Sequence, residues 1–340
     1  MLPTPIHRVI AILLVLGLLA LLATQATLAT SPTPRAAQPD FEVVSDIPYG
    51  TDHVYQVMDW YPAINGSGPH PVVVFVHPGM PPIHSKADVL NWHGEQAQQF
   101  LLQGFTLFAT NYQDYFVDPL PAQVHDIGKA VQHIRHYADA YDIDPDRLFL
   151  WGGSGGANIA GALAYGVDLA DPLGTPEQQW TTRPTAWINY RGTTDFPALD
   201  PSLPAAIFGY DQLGLVPMWL KQELSAAWLV CHVERSYTPP VLTIYDDVPA
   251  GTPPITPIHD PYFAQVLHGN LRLCANEAAQ QSVRLYRGDH QVTKSNYQKI
   301  TCWIAGLAGI DQPYIWGKRE LEPQAPPGPK LPGPGGTLNL

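Results

Sequence analysis

The segment Trp151-Gly152-Gly153-Ser154-Gly155-Gly156 constrains this chain more than any other. It directly follows the apolar run Arg147-Leu148-Phe149-Leu150. It directly precedes the helix-compatible run Ala157-Asn158-Ile159-Ala160-Gly161-Ala162-Leu163-Ala164. A Gly-x-Ser-x-Gly between a strand and a helix has the form of a nucleophile elbow. Such a turn is sharp, so the residues beside the serine must be nearly without side chains. It lifts Ser154 Oγ clear of the sheet and aims the following backbone N–H groups at the same space. Glycine-rich serine segments also occur in ordinary loops, so the weight rests on the flanking strand and helix.

Apolar runs alternate with helical patterns on both sides of this turn. Val54–Tyr61 reads as an early strand, and Val72-Val73-Val74-Phe75-Val76 as a buried central one. Residues 89–103 read as a helix ending at Gly104, and 105–110 as the next strand. Ile127, Ala130, Val131, Ile134 and Ala138 recur at helical spacing across 124–141. Strands follow at 148–151, 186–190, 241–245 and 282–286, and a closing helix at 296–307. Strands alternating with helices predict an α/β protein with a mainly parallel central sheet covered on both faces. Residues 191–239 break the rhythm, with Phe196, Phe208, Tyr210, Met218, Trp219 and Trp228 and a predicted amphipathic helix over 219–230. We read them as a cap insertion over the active-site end of the sheet, the alternative being an ordinary crossover helix with long loops.

Residues 1–29 have the layout of a signal peptide or an N-terminal anchor. His7 and Arg8 precede an apolar run of about 15 residues, Val9 to Ala23, followed by small and polar residues. That run is short for a span, which needs about 20. Residues 30–40 form a linker, 41–318 the folded domain, and 319–340 a Pro/Gly-rich tail that cannot build a core. The expected location is secreted or extracytoplasmic, with membrane association only through the N-terminal segment. The net charge of −12 and the lack of a basic run after residue 40 argue against nucleic acid. Of three cysteines, Cys274 and Cys302 lie in one C-terminal region and are the expected disulfide pair, leaving Cys231 over; three buried thiols are the alternative.

A serine hydroxyl is a poor nucleophile until a base sits within hydrogen-bond reach and is itself oriented. For an elbow on an α/β sheet the chain order is serine, acid, histidine. His290 follows the last strand in Tyr286-Arg287-Gly288-Asp289-His290 and is the expected base. His259 and His268 also lie downstream, but neither follows a strand end so directly. Asp247 is the favoured acid, with Asp246 the alternative and Asp195 and Asp260 behind them. An oxyanion hole needs backbone N–H donors. Gly155 supplies one, and the loop His77-Pro78-Gly79-Met80 supplies Gly79 and Met80, because Pro78 has no N–H. His133 and His136, three apart on one helix, read as exposed helix residues rather than metal ligands.

Val73-Val74-Phe75-Val76-His77-Pro78-Gly79-Met80, the run from Asp126-Ile127-Gly128 to Arg135, the run Ile143-Asp144-Pro145-Asp146-Arg147 and the elbow through Ala160 together resemble the α/β-hydrolase superfamily. The likeness is to secreted serine esterases similar to the hormone-sensitive-lipase and feruloyl- or acetyl-esterase groups, over roughly residues 50–310. The resemblance implies Ser154 as nucleophile and His290 as base. Two features depart from the family pattern. His77-Pro78-Gly79-Met80 replaces its His-Gly-Gly-Gly, and Tyr245-Asp246-Asp247-Val248-Pro249 replaces its Gly-Asp-x-Asp.

These readings predict a serine-dependent carboxylic ester hydrolase acting on a small or carbohydrate-linked ester, with no cofactor. A prolyl-oligopeptidase-type peptidase uses the same fold and triad, and a non-catalytic binding protein could be built on it.

Overall fold

The computed structural model describes residues 42–79, 83–287 and 294–310. The N-terminal segment and linker, the C-terminal tail, Met80 and His290 lie outside the described residues. Among the described residues no helix is long and apolar enough to cross a membrane.

In chain order the elements are β1 (Val44–Pro48), β2 (Val57–Tyr61), β3 (His70–Val76), α1 (Asp88–Leu102), β4 (Thr106–Thr110), α2 (Ala122–His136), α3 (Ala138–Tyr141), β5 (Ile143–Gly153), α4 (Gly155–Tyr165) and β6 (Ala186–Tyr190). An excursion follows, holding the small hairpin β7 (Pro204–Ala205) and β8 (Tyr210–Gln212) and the short helices α5 (Met218–Glu223) and α6 (Ala226–His232). The chain then re-enters the sheet with β9 (Val241–Asp246), α7 (Tyr262–Cys274), α8 (Asn276–Gln281), β10 (Val283–Arg287) and α9 (Lys294–Leu307).

Eight strands form one sheet in the order β1-β2-β4-β3-β5-β6-β9-β10. Only the β1–β2 and β2–β4 pairings are antiparallel; from β4 to β10 every pairing is parallel. The expected mainly parallel sheet is therefore present, with an antiparallel edge that hydropathy alone did not mark.

The central strands are buried on both faces, which explains their unbroken apolar sequences. Successive side chains alternate. Val72, Val74, Val76, Leu148, Leu150 and Trp187 face one layer, packed by Ile127 and Ile134 of α2, Ile159 and Leu163 of α4, and Phe263 and Leu267 of α7. Val73, Phe75, Phe149, Trp151 and Ile188 face the other, packed by Phe100 and Leu101 of α1 and Ile300 and Ile304 of α9.

The single helix expected over 219–230 is two helices. Ser225 between them has an extended backbone (φ −97°, ψ 101°). Its hydroxyl donates to Lys221 O at 2.6 Å and accepts from Phe196 N at 2.9 Å. A side chain that bonds the backbone in this way competes with the helix ladder. The excursion also packs against neighbouring loops: Leu120 N donates to Ile207 O, and Ile255 N to Ala198 O.

The expected Cys274–Cys302 disulfide is not formed. Cys231 is bonded to Cys274 instead, with Cα atoms 5.2 Å apart, and Cys302 is a free thiol. The layers explain the difference. Cys231 on α6 and Cys274 on α7 lie on one side of the sheet, where Asn270 Nδ2 also donates to Ala227 O at 2.7 Å. Cys302 sits on α9, which packs on the opposite face.

A bridge closing 43 residues restricts the unfolded chain by about 3–4 kcal/mol. Replacing Cys231 and Cys274 together with Ser should lower the melting temperature by roughly 5–10 °C. Cys302→Ser should leave it unchanged, and thiol titration of the unreduced, urea-unfolded protein should count one thiol.

Candidate active site

The elbow is built as strand β5, then Ser154, then helix α4. Ser154 has φ 48° and ψ −116°, a left-handed backbone that a residue with a Cβ adopts only under strain. The surroundings hold it there. Ser154 N donates to Tyr190 O at 2.8 Å, and Asn158 N donates to Ser154 O at 3.1 Å. Two glycines permit the close approach. A Cβ on Gly152 would meet Gly156 O at 2.5 Å, and one on Gly156 would drive into the carbonyl oxygens of Val76 and His77.

Ser154 Oγ lies 2.9 Å from His259 Nε2. The sequence ranks His259 behind His290 because it follows no strand directly. It arrives by a loop between β9 and α7 that folds back over the strand ends. Thr193 Oγ1 donates to Ile258 O at 2.8 Å, just before His259. Asp260, just after it, is buried, and its Oδ1 accepts from Gly251 N (2.9 Å) and Tyr262 N (2.8 Å). The signal available was the run Pro249 to Pro261, whose five prolines forbid a helix or strand and force an irregular loop. It does not reveal where that loop ends in space.

The four candidate acids occupy different settings. Asp247 is exposed and makes no hydrogen bond or ion pair among the described residues. Asp246, the last residue of β9, turns inward, and its Oδ2 is 3.1 Å from the Arg191 guanidinium. Arg191 follows β6 with φ 60°. Asp195 Oδ2 accepts from Tyr262 OH at 3.3 Å, and burial pushes its carboxyl above the usual carboxylate range. Asp260 is committed to its own loop. His268 is engaged on β9 instead: its Nε2 is 3.0 Å from Thr243 Oγ1, and burial lowers its pKa to about 3. His133 is engaged by Glu177, with Nδ1 to Oε1 at 3.1 Å.

The loop after β3 faces the elbow. Gly79 has φ 67°, and Gly79 N would be 3.4 Å from a Cβ placed on Gly155. The structure thus brings together Gly79 and Gly155, two of the three expected oxyanion donors. His77 at the base of this loop is fully buried. Its Nδ1 donates to Pro78 O at 3.0 Å, and burial lowers its pKa to about 4, so it is neutral at pH 7.

A strained serine between strand and helix, at the carboxyl end of a mostly parallel eight-stranded sheet, defines an α/β-hydrolase fold. A model of the BD-FAE family matches residues 58–242, more than half of the sequence, and the chain belongs to that family. Among solved structures, it is similar to a truncated carbohydrate esterase from gut microbiota (TM-score 0.63, 14% identity, 82% of this chain and 100% of that one). It is also similar to an esterase of Thermogutta terrifontis solved with propionate (TM-score 0.57, 16% identity, 82% and 98%). Among curated proteins, a probable isoprenylcysteine alpha-carbonyl methylesterase of Arabidopsis thaliana is 32% identical over 114 residues. That match spans 34% of this chain and 23% of the relative's length.

His77 carries a pH consequence. Its folded pKa lies below its unfolded value of about 6.5, so between pH 6.5 and 4 the unfolded chain binds the extra proton. Its contribution is fully present above pH 6.5 and is lost as pH falls toward 4, by about 3 kcal/mol. Urea unfolding of His77→Phe, which keeps a ring in place, should show a shallower loss over this window than the parent. An equal slope would remove His77 as the source.

Proposed function

We propose that this protein is a serine-dependent carboxylic ester hydrolase acting through an acyl-enzyme. The observation that carries the reading is the 2.9 Å contact of Ser154 Oγ with an imidazole nitrogen on a strained elbow. His259 Nε2 accepts the Ser154 proton as Oγ attacks the ester carbonyl carbon. Charge gathers on the carbonyl oxygen, and the N–H groups of Gly79 and Gly155 are the donors available to it. The carbon–oxygen bond to the alcohol breaks, and the imidazolium returns its proton to the departing oxygen. Water then attacks the acyl-serine with the same histidine as base, releasing the acid and restoring Ser154. This route asks for no cofactor.

His290 supports a second assignment of the base. β10 pairs in parallel with β9, with Arg287 level with Asp246. His290 therefore follows a strand that ends at the same edge of the sheet as the elbow. The acid is proposed among Asp246, Asp247 and Asp195, of which, among the described residues, Asp246 alone faces a cation.

Relatives of this fold named as a carbohydrate esterase and an acetyl ester-xyloside bifunctional hydrolase support a small or carbohydrate-linked ester as substrate. The apolar run at residues 9–23 and the Cys231–Cys274 disulfide support a secreted or extracytoplasmic location.

Ser154 should react with a fluorophosphonate probe, and Ser154→Ala should lower turnover of p-nitrophenyl acetate roughly 10⁴-fold or more. An unlabelled Ser154 in folded protein would favour a binding role, and faster cleavage of proline-containing amides a peptidase. His259→Ala and His290→Ala, assayed side by side, assign the base: its loss should match that of the serine variant, while the other histidine's should be far smaller.

A further inference from the structure

We infer that Tyr112 is a positioning residue for oxyanion stabilisation: its hydroxyl holds the carbonyls of His77 and Gly79, which belong to the peptides on either side of the one that carries Gly79 N–H, so that this N–H stays presented beside Gly155. The inference rests on the reading of Ser154 as an ester-cleaving nucleophile.

The loop that faces the elbow is short of donors. Pro78 has no N–H, so among the described loop residues the donor beside Gly155 is Gly79. Its surroundings are also rich in acceptors. Gly79 N and Gly79 O are almost equally close to the Cβ position of Gly155, at 3.4 and 3.5 Å. An N–H stabilises a developing oxyanion, whereas a carbonyl oxygen left facing it repels. The carbonyls of residues 77 to 79 are each engaged by a side chain. Tyr112 OH lies within donating distance of His77 O (3.0 Å) and Gly79 O (2.8 Å), and the Tyr115 hydroxyl is hydrogen-bonded to it as well. His77 Nδ1 takes Pro78 O.

Tyr112 is itself fixed. It lies two residues beyond β4 and is fully buried, with its ring stacked on His77 at 4.1 Å and 11°. Its neighbours are tied on three sides. Tyr49 OH donates to Asn111 O at 2.6 Å, Lys86 N to Asn111 Oδ1 at 2.7 Å, and Gln113 N to Asp126 Oδ2 at 2.8 Å. Burial holds the Tyr112 phenol well above its ordinary range, so it remains a donor at neutral and mildly alkaline pH. Nothing in this arrangement requires Tyr112 to touch substrate. It acts through the loop, and its loss should be felt where negative charge develops rather than where substrate first binds.

Tyr112→Phe removes the hydroxyl and keeps the ring on His77. Rates are normalised to sites titrated to completion with a fluorophosphonate, so unfolded molecules do not count. The expected result with p-nitrophenyl acetate is a kcat lower by about 10- to 100-fold, with KM within about twofold. Affinity for a trifluoromethyl ketone, which forms the tetrahedral adduct, should weaken by a factor similar to the kcat loss. A Tyr112→Phe protein with the parent kcat overturns the inference, as does a loss confined to KM with ketone affinity unchanged. Parallel assay of Ser154→Ala separates the two levels. If that variant turns over ester as fast as the parent, the reading of Ser154 falls and takes this inference with it. If Ser154 is required and Tyr112→Phe is as fast as the parent, only the role of Tyr112 falls.

Discussion

The strained backbone of Ser154 is the constraint on which the rest of the site depends. A left-handed serine costs of order 1–3 kcal/mol and persists only where its surroundings over-determine it. Here that means Tyr190 O on one side, the first turn of α4 on the other, and the carbonyls of Val76 and His77 pressed against Gly156. The last contact ties the end of β3 to the start of α4. Position of the serine and position of the facing loop are therefore one packing problem, solved by two residues without side chains.

Much of this was legible in sequence because buried parallel strands leave an unmistakable trace. Val72–Val76 is apolar at every position since both faces of β3 are covered, and the Gly-Gly-Ser-Gly-Gly turn admits few conformations. The antiparallel β1 was not legible: its residues Val44–Pro48 are mostly exposed at a sheet edge and carry no alternation. The break at Ser225 depends on Phe196, 29 residues away, which no local pattern reports. The disulfide failed for a similar reason. Proximity in sequence favoured Cys274 with Cys302, but a sheet lies between their helices.

The candidate site was legible at Ser154 and its glycines, whose placement follows from backbone geometry. The histidine that meets Ser154 was less so, because it arrives on a loop, and the candidate acids sit at or just beyond strand ends. Pro249 to Pro261 shows that a loop exists, while the path that carries His259 to Ser154 is set by Thr193 and Asp260 through tertiary hydrogen bonds. Asp246 and Asp247 are adjacent in sequence, yet only the residue that ends the strand turns inward to Arg191. One residue of register decides which carboxylate is solvated.

The Cys231–Cys274 bridge has a mechanical meaning as well as a thermodynamic one. Cys274 ends α7, and His259 stands three residues before that helix begins. The excursion that carries Trp219 is thereby tied to the helix that begins three residues after the imidazole. Displacing α6 from the sheet therefore requires α7 to move with it.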